Sequence, residues 1–162
     1  MNFKNIVVGT VCFLMASTLG WAGYRDLFMS ETIIAGNTIE VLADVAVTLT
    51  QADCGSTQYQ TDANGGTTTL MAVSDGCEVT FIIGAAYDTA NWVVDSAEGD
   101  NITGSLIVNS AVVACAAEDQ LNFVADGESL GDQFTIKSDG SNWYITGGNV
   151  ITAAKLTCTD PS

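Results

Sequence analysis

From Thr32 to the C-terminus the chain is a series of short apolar runs cut by Gly, Asn, Asp and Ser. Asp44–Thr50 (DVAVTLT) alternates, with Val45, Val47 and Leu49 on one face. Thr38–Leu42, Thr67–Val73, Glu78–Gly84, Asn91–Asp95, Ile102–Val108, Ala111–Ala116, Gln120–Ala125, Gln133–Lys137, Asn142–Thr146 and Val150–Leu156 are similar: β-branched and aromatic residues between turn signals. Such segments are strands, because side chains in a strand point alternately to its two faces. The turn chemistry agrees. Asn64-Gly65-Gly66, Asp75-Gly76, Glu98-Gly99-Asp100, Asp126-Gly127, Asp139-Gly140 and Gly147-Gly148 all tolerate positive φ. Ala111–Asp119 is the best helical rival, and its apolar half reads as a buried strand. The pattern predicts an all-β fold: a single antiparallel β-sandwich or jelly-roll domain of about ten short strands over residues 31–162, preceded by an apolar N-terminal segment over residues 1–30.

That first segment has its own pattern. Lys4 is followed by Ile6–Ala22 without a charge, and charge returns at Arg25 and Asp26. A cationic start, an apolar stretch and small residues at Gly20 and Ala22 describe a signal peptide cut before Gly23. Two alternatives stay open: a retained membrane or assembly anchor, and a start upstream of the true one, with Met29 opening the working protein.

Composition removes whole classes of function. The 162 residues hold 4 Lys plus Arg against 19 Asp plus Glu, a formal net charge of −15. Binding nucleic acid through phosphate neutralisation needs clustered cations, so no nucleic-acid partner is expected. There is no histidine, which excludes Ser-His-Asp and Cys-His catalysis and His-ligated metals. Only carboxylate, Lys or thiol chemistry remains, and Lys137 and Lys155 carry no sign of activation. We expect no enzyme and no cofactor.

Cysteines stand at 12, 54, 77, 115 and 158. Without the N-terminal segment, Cys54, Cys77, Cys115 and Cys158 remain, enough for two disulfides in three possible pairings. Cys54 and Cys77 flank a loop-plus-strand unit that a disulfide can close. Cys115 lies in an apolar run, where a buried free thiol is the plain reading. The acids sit mostly at turns. Asp95, Glu98 and Asp100 form the densest cluster and are Ca²⁺ candidates, as are Asp126, Glu128 and Asp132; solvated turn residues are the favoured reading of both. Trp92, Trp143, Tyr87 and Tyr144 read as core or subunit-contact residues rather than a sugar-stacking surface.

Residues 131–147, GDQFTIKSDGSNWYITG, describe a β-hairpin. Phe134 and Ile136 share one face, Ser138-Asp139-Gly140-Ser141 makes the turn, Asn142 closes it, and Trp143 and Ile145 return on one face with Tyr144 on the other. This hairpin resembles one in virion proteins of tailed bacteriophages, where a strand enters a Ser-Asp-Gly-Thr/Ser-Asn-Trp-Tyr turn near the end of a small β domain. VTLTQADC (47–54), VTFIIGA (79–85), DSAEGDNITGSLIV (95–108) and DQLNFVA (119–125) resemble that family's earlier segments in the same order, so the likeness spans roughly residues 45–147.

The resemblance implies a structural virion subunit: head decoration, fibre or tail tip, forming a homo-oligomer, with a trimer favoured. It also implies other virion proteins such as the major capsid protein as partners, and no catalytic residues. Phe134, Ile136, Asp139, Gly140, Asn142, Trp143 and Tyr144 are then the packing hairpin. The strong negative charge suits a position on the virion exterior, away from packaged DNA. The apolar N-terminus departs from the pattern. The alternative is an exported, secreted or cell-surface bacterial binding module for glycan or Ca²⁺, and a membrane becomes a partner only if residues 1–30 are retained.

Overall fold

The computed structural model describes residues 39–43, 46–97, 99–127, 129–151 and 156–160, all within one compact unit, Asn37–Ser162. Residues 1–30, with the predicted signal or anchor, lie outside the described residues, as do Glu98 and Glu128. The strands are β1 (Ile39–Leu42), β2 (Ala46–Thr48), β3 (Thr57–Gln60), β4 (Gly66–Thr69), β5 (Glu78–Ile83), β6 (Trp92–Asp95), β7 (Ile102–Val108), β8 (Ala111–Glu118), β9 (Gln120–Phe123), β10 (Gln133–Ser138), β11 (Trp143–Val150) and β12 (Leu156–Thr159). No helix among the described residues is long and apolar enough to cross a membrane.

The strands form two sheets, β1-β3-β5-β10-β11-β7-β8 and β12-β9-β6-β4-β2. The fold is the expected all-β sandwich, with one correction. The sheets are mixed rather than antiparallel: β1–β3, β3–β5, β2–β4, β4–β6 and β7–β11 pair in parallel. Parallel neighbours need a crossover between them, and here successive strands pass from one sheet to the other. An all-antiparallel jelly roll contains no such pairs.

Alternation explains which side chains face inward. Val79, Phe81 and Ile83 of β5 and Phe134 and Ile136 of β10 are buried. Opposite them, the five-stranded sheet contributes Trp92, Val94, Leu121 and Phe123. Phe81, Phe134, Phe123 and Trp92 stack across the centre with ring centroids 5.0–6.1 Å apart. Such pairs add about 0.5–1.5 kcal/mol each beyond the area they bury. Trp92 also donates its indole N–H to Thr68 Oγ1 at 3.1 Å.

Three local expectations are corrected. Thr57–Gln60 (TQYQ) is a strand that the hydrophobic pattern missed, because Gln58 and Gln60 take the inward positions. Gly147-Gly148 lies inside β11 rather than at a turn. A Cβ on Gly148 would collide with Leu106 and come within 2.7 Å of Phe134 Cβ, so the glycine serves close packing. The expected strand Val150–Leu156 divides, with Val150 ending β11 and Leu156 opening β12. A fourth holds only in part: Ala111–Glu118 is a strand, but an edge strand on which Cys115 alone is buried, and its hairpin with β7 turns at Asn109 and Ser110, both with positive φ.

Both cysteine pairs are bonded: Cys54–Cys77, with Cα atoms 5.1 Å apart, and Cys115–Cys158, at 5.4 Å. Cys115 is therefore not a free thiol. Its bridge joins β8 to β12, an edge strand of each sheet.

Candidate functional site

The hairpin forms as expected. β10 and β11 pair antiparallel from Ser138↔Trp143 outward, with a bulge between Thr135 and Ile136. Its turn is held by one carboxylate: Asp139 Oδ1 accepts the N–H groups of Ser141 and Asn142, each at 2.9 Å. Those two bonds, Asn142's first, hold the Asp139 carboxyl below its ordinary pKa. The Asp139 N–H donates back to the Asn142 carbonyl at 3.3 Å. Gly140 sits at φ +87°, where a side chain is strained, and its N–H donates to Ser138 Oγ at 3.0 Å.

The hairpin's residues divide by face. Phe134, Ile136 and Trp143 are buried. Trp143 Nε1 finds no partner among the described residues. Tyr144 points outward, and with Asp75, Gly76, Lys137, Ser138, Asp139 and Thr146 it lines an open cavity of about 250 Å³. The Asp75-Gly76 turn is tied to the hairpin, since the Gly76 N–H donates to the Ser138 carbonyl at 2.9 Å and the Ser138 N–H to the Cys77 carbonyl at 2.8 Å. Cys54–Cys77 braces the same end of the sandwich. The cavity offers two carboxylates, an ammonium and a phenol ring, which is recognition chemistry. Lys137 already meets Glu78 at 3.9 Å, with both side chains half exposed, a pair worth at most about 1 kcal/mol.

The remaining candidates do not converge. Asp95 accepts from Gln120 Nε2 at 2.8 Å, and Asp100 accepts the Val73 N–H at 3.4 Å. Asp126 is an exposed turn residue, while Asp132 is buried. Among the described residues no group of three or more His, Cys, Asp or Glu side chains is placed to hold a metal. Trp92, Trp143 and Tyr87 are buried, so these aromatics belong to the core, and Tyr144 alone of the four is exposed.

Two features had escaped the sequence. Asp132 precedes β10 and closes the hairpin's open end: its Oδ1 accepts the Ile151 N–H at 3.0 Å, and Oδ2 has no partner among the described residues. Burial pushes its pKa up, against the lowering effect of the Ile151 and Ser129 backbone donors. An acid in a Gly-Asp loop gives no local sign of this. Gln58 and Gln60 form a buried polar layer. Gln58 Nε2 reaches Glu40 Oε2 at 2.8 Å and Ser56 Oγ at 2.7 Å, while Gln60 exchanges bonds with the Asp62 backbone.

Compared with protein-family models, curated proteins and solved structures, the chain has no match.

Proposed function

We propose that this chain is a structural subunit on the exterior of a tailed-phage virion, a head-decoration, fibre or tail component that works as a homo-oligomer and not as a catalyst. The observation that carries this reading is the hairpin. The residues that resemble the phage segment, Phe134 through Tyr144, make an antiparallel pair with an Asp-Gly turn at one end of an all-β sandwich. A rigid sandwich with its acids mostly at turns suits a packing role, because apolar strand faces can be shared between copies while charge keeps free subunits soluble.

The test is mass spectrometry of purified particles, with antibody labelling of intact ones. The expected result is peptides of residues 57–137 in fixed ratio to the major capsid protein, with label on the outer surface. Absence from particles would overturn the reading.

The two disulfides favour a second reading, an exported binding module, because such bonds persist in oxidising compartments. Its signature is a soluble protein in the culture fluid that begins at Gly23.

A further inference from the structure

We infer that a second copy of this chain packs on the outer face of the seven-stranded sheet, about a two-fold axis running along β10; the inference rests on the homo-oligomer reading and puts a dimer in place of the trimer that the resemblance favours.

The strand registers place Val41, Tyr59, Ile82, Gln133, Asn149, Ile107 and Val112 in one row across all seven strands. The row carries no charge. A second row holds Ile39, Thr57, Thr80, Thr135 and Gly147. A third holds Glu78, Lys137, Tyr144, Thr103 and Ala116. Glu78 and Lys137 are the only charges in these rows, and they pair with each other. On a chain of net charge −15, the three rows carry no net charge, with the carboxylates of Asp75 and Asp139 beside Lys137 and Tyr144 at their turn end. Glu40 and Glu118, the acids of the two edge strands, pair across the register with Gln58 and Ile102, in the inward set. Two copies approaching through the first two rows, which hold no acid, avoid the acid–acid repulsion of other approaches.

The apolar side chains lie at its two margins. Ile39 and Val41 on β1 are 61% and 62% exposed, and Ile107 and Val112 on β7 and β8 are 53% and 71% exposed. No large exposed hydrophobic residue lies on a strand of the five-stranded sheet. β10 is the middle strand of the seven. A two-fold axis along it lays β1 of one copy over β8 of the other, and does so twice. Val41 then meets the partner copy's Val112, Tyr59 meets its Ile107, and Gln133 and Lys137 each meet their own equivalents, the latter beside Glu78 of each copy. Each apolar margin is covered by the other, as a closed isologous contact requires. At about 4.8 Å between strands the face is about 29 Å wide. Three rows make it about 20 Å tall, a footprint of about 600 Å². Side-chain relief raises that toward the roughly 800 Å² per partner of a stable interface.

The test uses the full chain with a benzophenone amino acid at position 112, light and heavy isotope copies mixed, and native mass before photolysis. The expected result is a dimer whose cross-links join position 112 of one copy to residues 39–43 of the other. Val112→Glu weakens the dimer at least roughly tenfold with its circular dichroism unchanged, while Thr157→Glu on β12, which adds the same charge elsewhere, does not. A monomer, a trimer, cross-links between two 112 positions, or cross-links within one copy to residues 1–38 overturn the inference. A chain that is on the particle but fails these tests leaves the virion reading standing, and a dimer absent from particles does the reverse.

Discussion

The β10–β11 half and the β1–β3 half of one sheet present opposite chemistry to the same core. The first buries Phe134, Ile136 and Trp143, and Phe134 stacks on Phe81 and Phe123. The second buries Leu42 but otherwise Gln58 and Gln60, held by Glu40, Ser56 and the Asp62 backbone. Apolar area holds one half. Lateral pairing and hydrogen bonds hold the other, each bond netting about 1 kcal/mol because water is given up to make it. A strand thus needs neither a hydrophobic face nor a hairpin partner when a finished neighbour such as β5 offers its edge.

The sharpest way to break this comparison is truncation in the first half. Trp143→Ala or Phe134→Ala is expected to cost about 3–5 kcal/mol in denaturant unfolding, from lost transfer energy plus the cavity left behind. A cost under about 1 kcal/mol would remove the apolar half from its leading role.

The disulfides come next. Cys115→Ser with Cys158→Ser should cost about 2–4 kcal/mol, since the unfolded chain regains a loop between residues 43 apart. Removing Cys54–Cys77, with a separation of 23, should cost roughly half a kcal/mol less by the same loop-entropy argument. Equal unfolding midpoints for the two double variants would show that native packing rather than loop closure sets their worth.

A smaller effect tests the polar half. Gln58→Leu removes the Nε2 bonds but also a buried Oε1 that has no partner among the described residues. The expected change is within about 1 kcal/mol. A loss comparable to Trp143→Ala would mean that the glutamine layer is as essential as the aromatic one.

The smallest effect is pH-dependent. Asp132 has its folded pKa raised by burial. The folded state therefore holds the Asp132 proton more tightly than the unfolded state. That contribution to stability is complete below the unfolded pKa of about 3.9 and is lost as pH rises through the raised folded value. Asp132→Asn keeps an acceptor for the Ile151 N–H and removes the buried charge. It should raise Tm modestly near pH 7, with the gain shrinking toward pH 4. Asp139 has the opposite sign, since its lowered pKa makes its contribution present above about pH 3.9 and lost as pH falls further.

The contrast between the halves is also a contrast in legibility. β5, β7, β10 and the start of β11 alternate, so their inward residues could be read directly, and Asp139-Gly140 marked the turn between them. TQYQ could not be read as β3, because its inward residues are polar, and their burial depends on Glu40, which β1 brings, as well as on the flanking Ser56 and Asp62. The site divides likewise. The hairpin and its turn were legible, while Asp75 beside Tyr144 and the buried Asp132 were not, since nothing within a few residues of either signals its neighbours.

By itself, the sequence determined the strand-rich character of the domain, the hairpin at 131–147, the aromatic core and the acidic, histidine-free chemistry, because these follow from alternation, turn residues and composition, all local quantities. Only the tertiary structure decided the parallel pairing of five strand neighbours, the Cys115–Cys158 bridge between sheet edges and the uncharged row that runs across seven strands from Val41 to Val112. Those depend on which distant segments lie side by side. That choice is made by packing two sheets around one core, and no window along the chain contains it.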